Sequence, residues 1–126
     1  MLDLVELATG DKFFIYGLRQ VGRELSFVAE FAADLPRAAH RKIDYRLGRT
    51  AMEGPPTNED QSRSLKGNGQ GLFEFKFVSD EVRLIYFYGP KGTIIVTHGF
   101  TKHGDDPDPQ EIDRAIRLKR QYEEGA

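Results

Sequence analysis

The stretch Gly71–Lys102 reads GLFEFKFVSDEVRLIYFYGPKGTIIVTHGFTK and predicts three consecutive β-strands. Its first part alternates phenylalanine with charged residues, which is the period-2 pattern of a strand with one buried face. Short turn segments separate the strands predicted at Leu72–Val78, Val82–Tyr88 and Thr93–His98. Such short connections join antiparallel neighbours, because a parallel crossover needs a dozen or more residues. The stretch therefore predicts an antiparallel three-stranded meander.

The register of the two hairpins gives the first indication of function. A two-residue turn in the first hairpin places Lys76 opposite Arg83, and a four-residue loop in the second places Arg83 opposite His98. These three side chains then form one row across a single face, with Glu74 one step along. Because directly opposed like charges are unfavourable, the row predicts an anion site. In the alternative interpretation, Glu74 neutralises one cation and the row is a solvated outer face.

Length and composition indicate an ordinary soluble protein. The chain has 126 residues, of which 39% are hydrophobic and 30% charged, and this predicts one domain with its own core. The net charge of −2 argues against a general nucleic-acid coat protein but leaves room for a small basic patch. The sequence has no apolar run of membrane-spanning length and its amino terminus is acidic, so we expect a cytoplasmic protein.

The residue types also limit the chemistry. Cysteine is absent, which excludes disulfides, thiolate zinc sites and cysteine nucleophiles. His98 and His103 are five residues apart without matching carboxylates, so no metal site is predicted. The sequence contains no P-loop, GxGxxG or GxSxG motif.

The segment before the meander predicts one strand and two helices. Lys12–Leu18 is rich in aromatic and β-branched residues and should join the sheet as a neighbour or an edge. Ser26 is a suitable N-cap for a first helix, and Asp34 for a second helix over Pro36–Leu47. The second helix carries several cations outside its apolar face, and we interpret them as a solvated surface rather than a nucleic-acid site: Arg37, Arg41, Lys42, Arg46 and Arg49.

The remaining segments are a long loop and a final helix. Gly54–Gly71 has the Pro, Asn, Ser and Gly content of a loop, and Lys66 near its end is positioned either to approach the sheet face or to remain a free surface lysine. Gly99 indicates a bulge or a close backbone approach. Asp108–Glu111 predicts the start of a helix that ends by Gly125, since it supplies an N-cap, a proline at N1 and a capping-box glutamate.

Short motifs occur along the chain in an order that resembles the RelE/ParE toxin superfamily, most closely its phage-derived HigB-type branch. They are Phe31–Pro36, Leu65–Gly67, Leu72–Lys76, Val82–Phe87, Ile95–Lys102 and Glu111-Ile112 with Ala115. The resemblance covers residues 12 to 122, and residues 1–11 look like an extension of this single RelE-like domain. It implies an α+β fold: the N-terminal strand and the meander form an antiparallel sheet, packed with a helical hairpin and a C-terminal helix.

The resemblance also implies a function. It is that of a type II toxin–antitoxin toxin, an endoribonuclease that cuts mRNA on the translating ribosome by 2′-OH attack, without a metal or other cofactor. Its partners would be a cognate antitoxin, expected to be a small helix-turn-helix protein, together with the ribosome and mRNA. Carried over by position, the phosphate-binding set is Lys66, Lys76, Arg83 and Lys102. The candidates for proton transfer are Glu74, His98 and His103, with acid and base unassigned.

Two alternatives remain open at this point. The first is a gyrase-inhibiting toxin on the same fold. The second is a non-catalytic binding protein in which the cations and acids pair with each other. Glu74, at a position that is basic in RelE proteins, and the acidic run Asp105–Asp108 are the features that favour the second.

Overall fold

A computed structural model describes residues 1–65 and 70–125 of the chain, so the prediction for Lys66 lies outside the described residues. The strands of this part form one sheet in the order β1-β2-β6-β5-β4-β3. The strands are β1 (Leu2–Thr9), β2 (Phe14–Gln20), β3 (Ser62–Ser64), β4 (Phe73–Phe77), β5 (Val82–Gly89) and β6 (Thr93–Thr101). The helices are α1 (Phe27–Ala33), α2 (Arg37–Glu53) and α3 (Pro109–Gly125). The α+β class is confirmed.

The sheet is mixed rather than wholly antiparallel. The meander β4-β5-β6 is antiparallel as predicted. Strand β2 pairs with β6 in parallel, so the prediction of a wholly antiparallel sheet is wrong for this pair of strands. The connection from β2 to β6 includes both helices of the hairpin, and a connection of this length permits a parallel pair. Residues 2–9, interpreted from the sequence as part of an extension, form an edge strand paired with β2. At the opposite edge, the short β3 lies inside the segment predicted as a loop.

The helices cover both faces of the sheet. Helices α1 and α2 pack with Val28, Ile43 and Leu47 on the face that carries Phe75 and Leu84. Helix α3 packs with Ala115 on the opposite face, where Ile85, Phe87 and Phe100 are buried. The charged side chains of the meander alternate with the buried phenylalanines, so they lie on the face that α3 covers.

The helix boundaries confirm some predictions and correct others. Ser26 caps α1, because its Oγ accepts a hydrogen bond from Ala29 N–H at 3.2 Å. Asp34 does not cap α2; it ends α1, and the N-cap of α2 is Pro36, which offers no side-chain acceptor. Helix α2 continues past Leu47 to Glu53, since its buried stripe extends through Thr50 and Ala51.

The first hairpin has the predicted register. Lys76 pairs with Arg83, although the connection is a 3-10 turn at Val78–Asp80 followed by Glu81 in the left-handed region, rather than a two-residue turn. The predicted turn and the observed turn are both centred between Ser79 and Asp80, so each of them pairs Lys76 with Arg83.

The second hairpin corrects the predicted row. Arg83 pairs with Phe100 and His98 pairs with Ile85, because the turn is shorter by one residue and Thr97 is an extra residue in β6, where the register shifts. The combined shift is two residues, an even number, so His98 keeps the predicted face but moves to the neighbouring row. The rows are therefore Glu74–Ile85–His98 and Lys76–Arg83–Phe100.

Candidate functional site

Charged side chains are buried on the α3 face of β4 and β5. Glu74, Lys76 and Arg83 are all nearly inaccessible to solvent. A buried charge is costly unless it is paired and hydrogen-bonded, so these side chains need partners from the surrounding elements. The partners come from β3 and from the segment that follows β6.

Arg63 on β3 is the first partner, and it is not among the site residues predicted from the sequence. It lies opposite Glu74, and its Nε donates to Glu74 Oε1 at 3.0 Å. Its Nη2 donates to the Asp105 carbonyl oxygen at 2.6 Å, and its Nη1 lies 3.5 Å from the Asp105 carboxylate. The three residues of β3 are polar and show no strand pattern in the sequence. The only signal in the sequence for Arg63 as a site residue is its positive charge, which complements Glu74. We call Arg63, Lys76 and Arg83 the cation cluster.

Arg83 is held mainly by backbone oxygens. Its Nη1 donates to Val82 O and its Nη2 to Gly104 O, each at 3.0 Å. Its Nε lies 3.9 Å from Glu74 Oε1, and among the described residues this buried nitrogen has no hydrogen-bond partner. The cluster therefore contains one buried donor that an additional acceptor oxygen would satisfy.

Lys76 is paired with an acid from the segment after β6. Its side chain is 4% exposed, and Nζ contacts the carboxylate of Asp105, which is 74% exposed. The hydrogen bond from Lys76 lowers the pKa of Asp105, with further lowering from the positive charge of Arg63. Asp105 is consequently held as a carboxylate directly on the buried ammonium.

Glu74 has the opposite pKa shift. Burial raises the pKa of Glu74, and this effect outweighs the lowering by the neighbouring Arg63. A carboxyl whose pKa is raised inside a cluster of cations is a candidate for proton transfer. The structure thus brings together Glu74, Lys76 and Arg83 of the predicted site.

His98 lies apart from the cation cluster. Ile85 separates it from Glu74 in the sheet, and its Nε2 lies 3.0 Å from Glu111 Oε1. The contact with Glu111 favours the imidazolium, but the ring is only 1% exposed whereas the carboxylate is 28% exposed and still solvated. Burial therefore dominates and, with the positive charge of Arg114, lowers the pKa of His98 to about 3. The histidine is neutral and forms part of the packing under α3.

The start of α3 is capped by Asp108, but Glu111 does not have the capping role that the sequence predicts. Asp108 Oδ1 caps α3 as predicted, accepting from Gln110 N–H at 3.0 Å and Glu111 N–H at 3.4 Å. The Glu111 side chain, assigned to a capping box from the sequence, instead contacts His98. The same glutamate therefore links the helix start to the sheet.

Of the remaining predicted site residues, Lys102 lines a cleft beside the cation cluster, and His103 is exposed. Lys102 lines a cleft of about 560 Å³ together with Lys76, Arg83 and Asp105. His103 is 89% exposed, and its Nδ1 contacts Glu81.

A larger cleft of about 790 Å³ adjoins the site between α2 and the β4–β5 turn. Arg46 in its wall lies over the ring of Phe77, 4.4 Å from the centroid, and donates to Lys76 O at 3.1 Å. Lys42 pairs with Asp80 at 2.9 Å. At least these two cations of α2 therefore have structural partners.

Comparison with known proteins assigns this charged α+β protein to a class of phage-derived, toxin-like proteins. The model of the phage-derived protein Gp49-like family (DUF891) matches residues 30–120, and the chain belongs to that family. The family is part of the RelE/ParE-like toxin superfamily, whose RelE-like toxins are endoribonucleases. A comparison with curated proteins gave no match.

Two further findings concern the described residues alone. No helix within residues 1–65 and 70–125 is long and apolar enough to cross a membrane. In the same part of the chain, no group of three or more His, Cys, Asp or Glu side chains is arranged to hold a metal ion.

Proposed function

We propose that this chain is a HigB-type toxin of a type II toxin–antitoxin pair, with a RelE-like fold, that cleaves mRNA on the translating ribosome. Its family membership supports a toxin. The observation that carries the ribonuclease proposal is the cation cluster, in which Arg63, Lys76 and Arg83 surround the carboxyl of Glu74.

The proposed reaction is attack of a ribose 2′-OH on the adjacent phosphate. Negative charge grows on the phosphate oxygens during this attack, and fixed cations in a water-poor site stabilise it. Lys76, Arg83 and Arg63 supply these cations, and Lys102 at the cleft adds a fourth. Arg83 Nε is a donor that a phosphate oxygen would satisfy.

Proton transfer requires a group that takes the 2′-OH proton and one that protonates the leaving 5′-oxygen. We assign one of these steps to Glu74, because its raised pKa lets it accept and release a proton inside the cation cluster. His98 keeps its neutral ring under α3, so its participation would require α3 to move. His103 would have to leave Glu81.

The proposed partners follow from the function. They are a cognate antitoxin of the small helix-turn-helix type, the ribosome and mRNA, and the place of action is the cytoplasm. The 2′-OH serves as the nucleophile, so the proposed mechanism assigns no role to a metal.

A second candidate function is a non-catalytic binding protein. The observation that favours it is that Lys76 and Arg63 are already paired with Asp105, and Arg63 also with Glu74. In this alternative, the ion pairs are structural and the cation cluster binds no RNA.

Expression in bacteria tests the proposal. We expect growth arrest by the wild-type chain and relief by Lys76→Ala or Arg83→Ala, with cellular mRNA cut by the first protein and intact with the others. The exposed residues Lys12 and Arg120 provide matched controls, and Lys12→Ala and Arg120→Ala should remain toxic. If the double variant Lys76→Ala/Arg83→Ala is as toxic as the wild type while mRNA stays intact, the ribonuclease proposal is wrong.

A further inference from the structure

Two consecutive residues of the segment between β6 and α3 engage all three cations of the cluster. The Asp105 carboxylate contacts Lys76 Nζ and lies 3.5 Å from Arg63 Nη1. The Asp105 carbonyl accepts from Arg63 Nη2 at 2.6 Å, and the Gly104 carbonyl accepts from Arg83 Nη2 at 3.0 Å. We call residues 103–107 the strap.

The strap is attached at both of its ends. Before it, Lys102 N–H donates to Glu81 O at 2.7 Å, which ties the chain to the β4–β5 turn. After it, Asp108 caps α3. Between these attachments Gly104 has φ +79°, a conformation that favours glycine, and the carbonyls of Gly104 and Asp105 both accept from the cluster. The strap therefore has a defined path over the cations rather than an arbitrary one.

The two side chains that join the strap to the cation cluster differ in solvent exposure. Lys76 is 4% exposed, whereas its partner Asp105 is 74% exposed. The carboxylate therefore lies on the outside of the molecule, and it can leave without opening the apolar core. The departure of the strap would uncover the cations while β4 and β5 keep their places.

The strap presents to the cluster the groups that a phosphodiester presents. A carboxylate and a phosphate both bind lysine and the arginine fork through closely spaced oxygens. Three strap oxygen groups, the Asp105 carboxylate and the carbonyls of Gly104 and Asp105, meet the three cations. The strap oxygens thus occupy the cation cluster as the oxygens of a bound anion would.

We propose that the strap is an autoinhibitory device in which Asp105 occupies the place of an RNA phosphate, so that RNA binds only when the strap lifts. The identification of the ligand as RNA rests on the proposed function. The occupation of an anion site by Asp105 does not, because it follows from the contacts alone. The buried cation cluster and the acidic segment that covers it thus belong to one mechanism.

Binding measurements on the full-length chain test this proposal. The probes are inorganic phosphate and a short single-stranded RNA made uncleavable by 2′-deoxy substitution. Asp105→Asn should bind the RNA about tenfold more tightly than the wild type if the strap is closed about 90% of the time, because the apparent Kd equals the intrinsic Kd divided by the open fraction. Asp105→Asn should also bind inorganic phosphate more tightly than the wild type does.

A matched control separates the contact from net charge. Asp106→Asn removes the same charge from the same exposed segment, and its affinity should stay within about threefold of the wild type because exposed charges are screened by salt. Adding Lys76→Met to Asp105→Asn should abolish the gain. A thermal unfolding curve for each variant verifies that it is folded, and Asp105→Ser should repeat the effect of Asp105→Asn. Equal tightening by Asp105→Asn and Asp106→Asn, or no tightening by either, overturns the proposal.

The binding measurements are independent of cleavage. If Asp105→Asn binds more tightly and the ribosome-bound mRNA stays intact with every variant, the strap proposal stands and the ribonuclease proposal is wrong. If the wild type cuts mRNA and Asp105→Asn binds no more tightly, only the strap proposal is wrong.

Discussion

The neutral, buried His98 predicts a specific dependence of stability on pH, which His98→Gln should remove. In the folded chain, burial lowers the pKa of His98 from 6.5 to about 3. The unfolded chain takes up a proton on this residue below about pH 6.5, whereas the folded chain does not. The unfolded state therefore gains stability as the pH falls, and the free energy of unfolding decreases.

The size of this effect follows from the two pKa values. Between pH 8 and pH 5, with the folded pKa still well below the lower pH, His98 removes about 2 kcal/mol from the free energy of unfolding. Urea unfolding at the two pH values measures it. His98→Gln should lose about 2 kcal/mol less than the wild type over this interval.

The opposite result would be equally informative. If His98→Gln loses as much stability as the wild type between pH 8 and pH 5, His98 takes up its proton over the same pH range in the folded and the unfolded chain. The contact with Glu111 would then offset the effect of burial, and the reasoning that the ring is a neutral packing element would be refuted.

Two further predictions concern the site and the sheet. Glu74→Met should destabilise the fold by about 2 kcal/mol, because the half-buried Arg63 side chain loses a hydrogen-bond acceptor, whereas Glu53→Met at an exposed pair should cost less than about 0.5 kcal/mol in urea unfolding. Gly99→Ala should cost about 1–3 kcal/mol, since its Cβ would lie 2.5 Å from Phe31 Cδ2. Gly48→Ala, with free space in α2, should instead raise the stability by about 0.5–1 kcal/mol. Equal effects at Glu74 and Glu53, or at Gly99 and Gly48, would contradict the contacts described for Glu74 and Gly99.

Local sequence patterns predicted the parts of the fold that depend on neighbours in the chain. The pairing of Lys76 with Arg83 follows from one tight hairpin, and the start of α3 follows from Asp108 and Pro109. The close approach at Gly99 was also visible in the sequence and is confirmed by its contact with Phe31. The hairpin pairing and the helix start are set by a few consecutive residues, whereas the approach at Gly99 brings distant segments together.

The features that the sequence did not predict depend on contacts between distant segments. The shorter turn and the extra residue at Thr97 together move His98 by one row, and no alternation pattern in β6 marks the extra residue. β3 forms a strand by pairing with β4, so Arg63 and its ion pair with Glu74 were missed. The amphipathic pattern of α3 indicated a packed helix but not which face of the sheet it covers.

The most important difference concerns the electrostatics of the site. The sequence showed the cations and the acidic run that follows them, and it left open whether they meet. The path of the strap between β6 and α3 brings Asp105 onto Lys76, and that path depends on the placement of α3 over the sheet. The face predicted to bind an anion is thus covered by the strap.

The central claim is that the cation cluster is the phosphate site of a ribonuclease, and cleavage of a defined mRNA in a reconstituted translation reaction tests it most directly. We predict that the purified wild-type chain cuts the mRNA on ribosomes and that Lys76→Met and Arg83→Gln each lower the cleavage rate about 100-fold or more. Arg120→Gln, which removes an exposed cation from α3, should cut at the wild-type rate. Intact mRNA with the folded wild type, or equal cleavage by Lys76→Met and Arg120→Gln, would contradict the claim.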